Sequence, residues 1–515
     1  MVRFMDQIGG GPVDQSGKTA GVVARVRAMV QDGTLTAGDA LPSTRALAAE
    51  LGVARGTVVA AYEQLDGEGW IRTRQGAAAR VAAGVAPGVA VGVTAGVAVG
   101  VTAGVAVAPA RVTPRRSRES ATAVGRAAST TEPVDAVPAP SAPAVLDCRP
   151  GIPAVTAIAT RDWRAAWRAA ADAPLRNTLS DPLGLPGLRA QVAAQLGLSR
   201  GFAPAVGRVV VAGGTSEALS LVAEALRVRL GRAPRIAVED PGYRSGRRAM
   251  TSAGAELVGV RVDDDGLDVD ALAVLTATEP VDAVVVTPTH QYPLGSVMPV
   301  GRRHALLAWA ARTGTTVVED DYDSEFRHRG SPVPALAALD TVGTVLHVGG
   351  FSKTLDPRLR CAYLVLPTGG RLGEAVVAAR TARGPVVAEP VQVALAHLLR
   401  TGALRRHLGR VRRDYTHRRE QIAARIDGVR GLEARALNGG LHAVVTWSGP
   451  ATARAVVARM AAAGVLVSAL DEYEVDPGSA PAGVVLGYGA LTSPQLDRAL
   501  DVLLAAVPDG GASVS

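Results

Sequence analysis

Residues 347–367, HVGGFSKTLDPRLRCAYLVLP, contain one of only two lysines among the 55 lysines and arginines of this 515-residue chain. A composition that favours arginine this strongly predicts that Lys353 performs a task that a guanidinium group cannot. A primary amine can lose its proton and attack an aldehyde carbon, whereas guanidinium stays protonated at any working pH. The stretch therefore predicts that Lys353 forms a Schiff base. The alternative is a surface lysine that survived by chance.

The neighbours of Lys353 indicate a buried amine beside a phosphate site. Apolar residues at 345–348 and 362–366 predict two strands, so burial should lower the pKa of the amine. Ser352 offers a hydroxyl donor and Arg360 a bidentate fork, which are both suited to phosphate. Their spacing around the lysine predicts that they hold the phosphate group of its ligand.

A carboxylate cluster, TVVEDDYDSEF at 316–326, follows a predicted hydrophobic strand. Asp320 is placed to pair with a protonated ring nitrogen, and Tyr322 can donate to a phenolate oxygen. An aldehyde that carries a phosphate and a protonatable ring is pyridoxal phosphate, which we therefore predict as the cofactor. The alternatives for this cluster are an acidic loop or a metal site.

Two upstream segments add to this prediction. The sequence VVVAGGTSEALSLV at 209–222 predicts a strand, a glycine turn and a helix. Free backbone N–H groups at such a helix start, here in residues 214–216, bind phosphate. Tyr243, in EDPGY at 239–243, would stack on the cofactor ring, although a plain turn tyrosine is the alternative.

Four motifs carry a family resemblance: EDPGY, TPTHQYPLG at 287–295, EDDYDSEF at 319–326 and FSKTL at 351–355. They resemble the aminotransferase-like domain of MocR-type regulators in the GntR superfamily, over residues 146–510. The resemblance implies a fold-type-I α/β domain with Lys353 as its Schiff-base lysine. The cofactor-binding residues that it implies are Asp320, Tyr322, Tyr243, Ser352, Arg360, Gly214, Thr215, Ser216 and His290, the last on the side of the ring oxygen.

Residues 18–81 predict a separate winged helix-turn-helix domain. Apolar residues recur at helical spacing over 22–30, and a short helix runs from a Ser43 N-cap to Gly52. A further helix is predicted over 53–69, followed by two strands around a tip at Gly76.

The segment LPSTRALAAELGVARGTVVAAYEQLDGEGW at 41–70 resembles the winged helix of GntR regulators. The resemblance implies a double-stranded DNA operator as partner. It places Ser43, Arg45, Arg55 and Thr57 at the DNA, with Arg74 and Gly76 in the wing. Arginines suit contacts with phosphate and guanine, while for any one of them a solvated surface position is the alternative.

Residues 82–145 predict a low-complexity linker. No charged residue occurs over 82–110, and GVTAGVAV at 92–99 is repeated at 100–107. Its length and apolarity would allow a membrane span. Abundant glycine and valine, Pro87 and the flanking domains favour a duplicated linker instead.

The composition bounds the function further. A formal net charge of +8 and a pI of about 10.0 are compatible with a nucleic-acid partner. Cys148 and Cys361 predict no disulfide framework, and the N-terminal residues do not resemble a secretion signal, so we expect a cytoplasmic protein. The resemblance also implies a head-to-tail homodimer.

Three positions depart from the family pattern. Gly350 replaces a hydroxyl residue near the phosphate, and Ser245 replaces a second carboxylate arginine that a γ-aminobutyrate-sensing member has. Glu472 falls where many members have the arginine that binds the substrate carboxylate. The sequence therefore favours a DNA-binding regulator that senses pyridoxal phosphate and controls vitamin B6 synthesis. The alternatives are an active aminotransferase or a regulator that responds to an amino acid or amine.

Overall fold

The computed structural model describes residues 18–31, 34–36, 38–67, 70–72, 79–81, 145–326 and 334–507. The predicted linker over 82–145 lies outside these residues except for Val145, and so do the wing residues Arg74 and Gly76. Within the described ranges, no helix combines the length and apolarity needed to span a bilayer.

The N-terminal unit contains helices α1 (Lys18–Gln31), α2 (Thr44–Leu51) and α3 (Arg55–Gly67) and strands β1 (Ile71–Arg72) and β2 (Arg80–Val81). The two strands pair antiparallel, as expected for a wing. The predicted cap is confirmed, because Oγ of Ser43 accepts a hydrogen bond from the Ala46 amide at 3.1 Å. Gly52 ends α2 in the left-handed conformation, with φ of 61°.

The strands of the body are β3 (Leu146–Asp147), β4 (Val209–Ala212), β5 (Arg235–Asp240), β6 (Glu256–Asp263), β7 (Gly266–Leu267), β8 (Ala283–Val286), β9 (Thr316–Asp321), β10 (Val345–Gly350), β11 (Ala362–Val365), β12 (Leu432–Arg435), β13 (His442–Trp447), β14 (Val465–Leu466), β15 (Ser468–Ala469) and β16 (Gly483–Gly487). Among the described residues, eight of them form a central sheet in the order β4-β11-β10-β9-β8-β5-β6-β7. Strands β6, β5, β8, β9 and β10 are parallel neighbours, whereas β11 runs antiparallel to both β10 and β4. The predicted mostly parallel sheet is thus confirmed.

The helices of the body are α4 (Thr160–Ala171), α5 (Pro186–Ser199), α6 (Thr215–Leu230), α7 (Arg244–Ser252), α8 (Val269–Thr278), α9 (Val300–Thr313), α10 (Leu336–Leu339), α11 (Leu372–Arg383), α12 (Glu389–Arg400), α13 (Ala403–Ile426), α14 (Ala453–Ala462) and α15 (Ser493–Ala506). Side chains alternate between the two faces of a strand. Val317 of β9 packs with Val284 in the apolar cluster under α8 and α9, while Val318 packs with Leu346 under α6, α7 and α11. By this alternation, Asp320 belongs to the face of Val318.

A second sheet, β12-β13-β16-β15, forms the C-terminal part of the body together with α13, α14 and α15. Strand β3 pairs in parallel with β14, so the first residues of the body lie against its C-terminal part. The Gly487 amide donates to the carbonyl of Cys148 at 2.7 Å and extends this contact. These pairings place Gly151, which follows β3, close to Lys353 at the end of β10 in the central sheet.

Candidate cofactor site and DNA-binding surface

A pocket lies at the carboxyl ends of parallel strands of the central sheet, where ligands bind in open α/β folds. Strand β9 supplies Asp320, β10 leads into Lys353, and β4 leads into the turn before α6. The residues that line the pocket are Thr215, Ser216, Tyr243, Thr287, Tyr292, Asp320, Tyr322, Gly350, Ser352, Lys353, Pro357 and Arg360. The chain thus brings together most of the residues that the sequence singled out.

The amine of Lys353 is held by the backbone. Its Nζ donates a hydrogen bond to the Gly151 carbonyl at 2.9 Å. Gly151 has φ of +93°, and a Cβ there would lie 2.1 Å from Nζ, so any other residue would displace the amine. Burial lowers the pKa of Lys353, while the charges of Asp323 and Asp320 work in the opposite direction. A lowered pKa favours the neutral amine that attacks an aldehyde.

The carboxylates around Asp320 have partners outside the pocket. Glu319, on the opposite face of β9, lies 2.9 Å from Nδ1 of His347 and accepts from the Leu336 amide at 2.6 Å. Asp321 pairs with Nε of Arg200 at 2.6 Å. In contrast, Oδ1 of Asp320 is buried and has no hydrogen-bond partner among the described residues.

The surroundings of Asp320 make it a ready acceptor for a cation. Burial raises its pKa to about 8, and the negative charges of Asp321 and Glu239 add to the rise. A protonated ring nitrogen would supply both the missing hydrogen bond and the missing positive charge.

The opposite end of the pocket has the features of a phosphate site. Gly214 caps α6 with φ of +119°, and a Cβ there would lie 3.2 Å from Nη2 of Arg360. The first N–H groups of α6, in Thr215 and Ser216, have no acceptor within the helix. Ser352 also lines the pocket, whereas Gly350 adds no hydroxyl group.

Tyr243 lies between the two ends. Its hydroxyl is 3.0 Å from Oγ of Ser216, and its ring meets that of Tyr292 edge-on at 6.1 Å between centroids. Burial raises the pKa of Tyr243, so the phenol stays neutral. Tyr243 also lines the pocket, and its stacking on a cofactor ring stays a prediction.

His290 is not where the sequence predicted it. It does not line the pocket, because its Nδ1 lies 2.7 Å from Oδ2 of Asp323 and 2.9 Å from the Tyr322 hydroxyl, behind the tyrosine. Thr287 and Tyr292, from the same motif, face the pocket instead. The motif predicted correctly that this segment lies at the pocket, but the sequence did not show which of its side chains face the pocket.

The interpretation of Glu472 was wrong. Its carboxylate forms an ion pair with Arg244 and lines a surface groove with Arg247 and Arg248, separate from the cofactor pocket. Glu472 therefore does not confront a substrate in the pocket. Among the described residues that line the pocket, Arg360 at the phosphate end is the only arginine.

Two interactions that support the pocket could not be predicted from the sequence. Gly151 lies about two hundred positions before Lys353 and reaches it only through the pairing of β3 with β14. Glu217, in the first turn of α6, accepts from the Gly213 amide at 3.1 Å and from buried Arg380 at 2.6 Å. This ion pair fixes the turn that precedes the phosphate end.

The DNA-binding residues that the structure describes lie at the surface of the N-terminal unit. Ser43, Arg45 and Arg55 are exposed, and Thr57 is half-buried in the first turn of α3. The Tyr62 hydroxyl donates to the Pro42 carbonyl at 2.8 Å and ties α3 to the start of α2. Both arginines are free to contact a nucleic acid.

The pocket fits pyridoxal phosphate in three respects. Burial lowers the pKa of the Lys353 amine, Oδ1 of Asp320 is buried without a hydrogen-bond partner among the described residues, and Gly214 leaves room beside Arg360. A buried lysine amine, a carboxylate for the ring nitrogen and a phosphate-binding helix start are together typical of an aminotransferase-like domain of fold type I.

Comparison with known proteins agrees with this architecture. Residues 154–503 match aminotransferase class I and II, and residues 18–81 match the bacterial regulatory proteins of the gntR family. The chain belongs to the family of GntR-type transcriptional regulators that carry an aminotransferase-like domain. The aminotransferase domain implies a pyridoxal phosphate site, and the gntR domain implies DNA binding.

Two relatives show the resemblance to MocR-type regulators over nearly the whole chain. The HTH-type pyridoxine biosynthesis transcriptional regulator PdxR of Corynebacterium glutamicum is 36% identical over 471 residues, which cover 90% of each chain. The probable rhizopine catabolism regulatory protein MocR of Rhizobium meliloti is 34% identical over 417 residues, covering 78% of this chain and 75% of the relative.

Solved structures share the fold of the body. An archaeal alanine:glyoxylate aminotransferase superposes with a TM-score of 0.65 at 20% identity, covering 70% of this chain and 90% of its own. The α-aminoadipate aminotransferase LysN of Thermus thermophilus, complexed with N-(5'-phosphopyridoxyl)-L-leucine, superposes with a TM-score of 0.62 at 24% identity, covering 70% and 94%.

Proposed function

We propose that this protein is a transcriptional regulator that senses pyridoxal phosphate in its body and binds operator DNA through its winged helix. Pyridoxal phosphate supplies an aldehyde for the Schiff base and a ring that withdraws electrons when its nitrogen is protonated. Lys353 binds the aldehyde, Asp320 the ring nitrogen, and Tyr243 stacks on the ring. Arg360 and the residues at 214–216 bind the phosphate, together with Ser352.

The observation that carries the cofactor assignment is the orphaned oxygen of Asp320. A buried carboxyl group whose pKa is raised to about 8, and whose Oδ1 has no partner among the described residues, destabilises the protein without its cofactor. A bound pyridinium group relieves that cost. Such an arrangement is expected where a ligand belongs.

The absence of a second arginine in the described pocket lining favours a sensor over an aminotransferase. An α-amino acid substrate needs a cation for its carboxylate, and Arg360 is committed to the phosphate end. A sensor needs only a ligand that binds two conformations of the protein with different affinity. Pyridoxal phosphate itself meets that requirement.

The relatives suggest the regulated process. PdxR, with which this chain shares 36% identity, is a regulator of pyridoxine biosynthesis. A protein that senses pyridoxal phosphate can adjust the supply of that cofactor, so we assign it to the control of vitamin B6 synthesis in the cytoplasm. We further propose a head-to-tail homodimer in which residues 82–145 link the two domains.

The cofactor assignment is tested by the visible absorbance of the protein with added pyridoxal phosphate. The parent should develop the absorbance of a Schiff base. Lys353→Ala and Lys353→Arg, which keeps a positive charge, should both fail to do so. An unchanged spectrum in either variant would remove Lys353 from this role.

The choice between sensor and enzyme is tested by adding a panel of amino acids to the loaded parent in a stopped-flow instrument. We expect the absorbance to persist, because the only arginine among the described residues that line the pocket is Arg360, at the phosphate end. Rapid conversion by any common amino acid would identify an aminotransferase.

A further inference from the structure

Three side chains at the wall of the pocket, those of Tyr322, His290 and Asp323, form one hydrogen-bonded cluster. Nδ1 of His290 lies 2.7 Å from Oδ2 of Asp323 and 2.9 Å from the hydroxyl of Tyr322. The side chains of His290 and Asp323 are 2% and 1% exposed, so their contact is shielded from bulk solvent. Tyr322 alone of the three lines the pocket.

The packing fixes this geometry. A Cβ on Gly440 would lie 2.5 Å from Oδ2 of Asp323 and 2.7 Å from Cε1 of His290. Gly440 has φ of +72°, which also favours glycine. The backbone therefore closes on the pair and leaves it little freedom to move.

The positions of the protons follow from what each atom can accept. Nε2 of His290 is buried and has no partner among the described residues, so a proton there would meet no acceptor. The proton of the ring therefore belongs on Nδ1, which donates to the Asp323 carboxylate. Because Nδ1 is then a donor, it cannot accept the Tyr322 proton. The Tyr322 hydroxyl therefore donates to the Asp323 carboxylate, with which its side chain also forms a hydrogen bond.

Tyr322 presents a lone pair to the pocket and can donate to a ligand oxygen only by turning its proton away from Asp323. Asp323 thus competes with the ligand for that proton. His290 weakens the competition, because its own N–H already occupies the carboxylate.

We propose that Asp323 and His290 are positioning residues that set how strongly Tyr322 donates its proton to the phenolate oxygen of the cofactor. The inference rests on the cofactor site proposed above. It deepens that proposal by naming the groups that tune the affinity of the Schiff base for its proton.

Other ionisable groups lie near Tyr322 and Lys353 and contribute to the electrostatic environment of the Schiff base. Asp320 and Asp323 both act on Lys353, and Tyr292 lies beside Tyr322. His442 lies 5.4 Å from His290 between ring centroids. Burial lowers the pKa of His442 to about 4, so it stays neutral and adds no charge at working pH.

The test is a pH titration of the Schiff-base absorbance in the full-length protein loaded with pyridoxal phosphate. Asp323→Asn removes the anion and frees the Tyr322 proton for the cofactor, so the pKa of the Schiff base should fall by about one unit or more. His290→Leu leaves Asp323 without its N–H donor, so the carboxylate should hold the Tyr322 proton more strongly and the pKa should rise. His290→Asn places an amide N–H near the former Nδ1 and should restore the parent value.

Asp356→Asn is the matched control. It makes the same isosteric change to a buried acid that is bound to Arg358 rather than to Tyr322, and should not shift the pKa of the Schiff base. Unchanged pKa values, or shifts in the same direction for Asp323→Asn and His290→Leu, would overturn the inference. If Asp323→Asn does not fold, the difference between His290→Leu and His290→Asn decides. If the parent itself develops no absorbance, the cofactor site fails, and the inference with it.

Discussion

The burial that suits Asp320 to bind a cation also destabilises the folded protein when no cofactor is bound. Burial, with the charges of Asp321 and Glu239, raises the pKa of Asp320 from 3.8 to about 8. A carboxyl group whose pKa is raised by folding destabilises the folded state as pH rises through that interval. Below the unfolded value the cost is absent, and above the folded value it is complete. The cofactor-free protein therefore carries this cost at neutral pH.

We predict that Asp320→Asn stabilises the cofactor-free protein at pH 8 by on the order of a few kcal/mol, and has little effect at pH 4. The amide keeps the shape of the side chain but cannot ionise. Thermal unfolding midpoints of both proteins across this range measure the difference. A difference that does not depend on pH would contradict the raised pKa.

Asp356→Asn should show the opposite trend. Burial works to raise the pKa of Asp356, but the hydrogen bonds from Arg358 lower it on balance. The stability that Asp356 contributes is therefore present above the unfolded value of 3.8 and is lost as pH falls. Its replacement should destabilise the protein at pH 8 and matter less in acid.

At the scale of elements, the strand β4, the glycine turn and the helix α6 form the phosphate end of the pocket. The sequence predicted this unit correctly because a strand, a turn and a helix each have a local signal. The resemblance placed both Arg360 and Gly214 at the phosphate, but the sequence did not show that their contact depends on a left-handed backbone at Arg360, with φ of 45°. A non-glycine residue in that conformation has no sequence signature.

We predict that Gly214→Ala weakens the binding of pyridoxal phosphate by about tenfold or more, since a Cβ would press on Arg360 and strain the turn. Gly231→Ala, at the other end of α6, is the control, because it has a positive φ but nothing within 4 Å. Titration with pyridoxal, which lacks the phosphate, should show a much smaller difference between Gly214→Ala and the parent. An equal loss for both ligands would remove the phosphate from this end of the pocket.

The helix α3 carries the second prediction at this scale. Arg55 is exposed at its start, so Arg55→Ala should weaken specific operator binding by about 1–3 kcal/mol at fixed salt. Arg55→Lys separates two roles, because lysine can still contact a phosphate but cannot form the bidentate contact with a base. Equal operator affinity for Arg55→Ala and the parent, measured by fluorescence anisotropy, would remove Arg55 from the interface.

For the whole molecule, sequence motifs were enough to predict two domains and a mostly parallel sheet. They did not predict the contacts between residues that are far apart in the sequence. Glu472 pairs with Arg244, about two hundred positions away, and Gly151 meets Lys353 across a similar distance. Such contacts depend on the packing of the C-terminal part of the body against the central sheet, which no local pattern encodes. For the same reason, the sequence did not show that Tyr292 rather than His290 would line the pocket.

As a regulator, the whole molecule must couple its two sites, so that pyridoxal phosphate in the pocket changes the affinity of the winged helix for DNA. The most direct measurement is the operator affinity of the full-length protein at fixed salt, with and without pyridoxal phosphate, for the parent and Lys353→Ala. Coupling between two sites typically amounts to about 5–150-fold in affinity, so we predict a shift of at least about fivefold in the parent and none in Lys353→Ala. Equal affinities of the parent with and without pyridoxal phosphate, or the same shift in both proteins, would contradict the account.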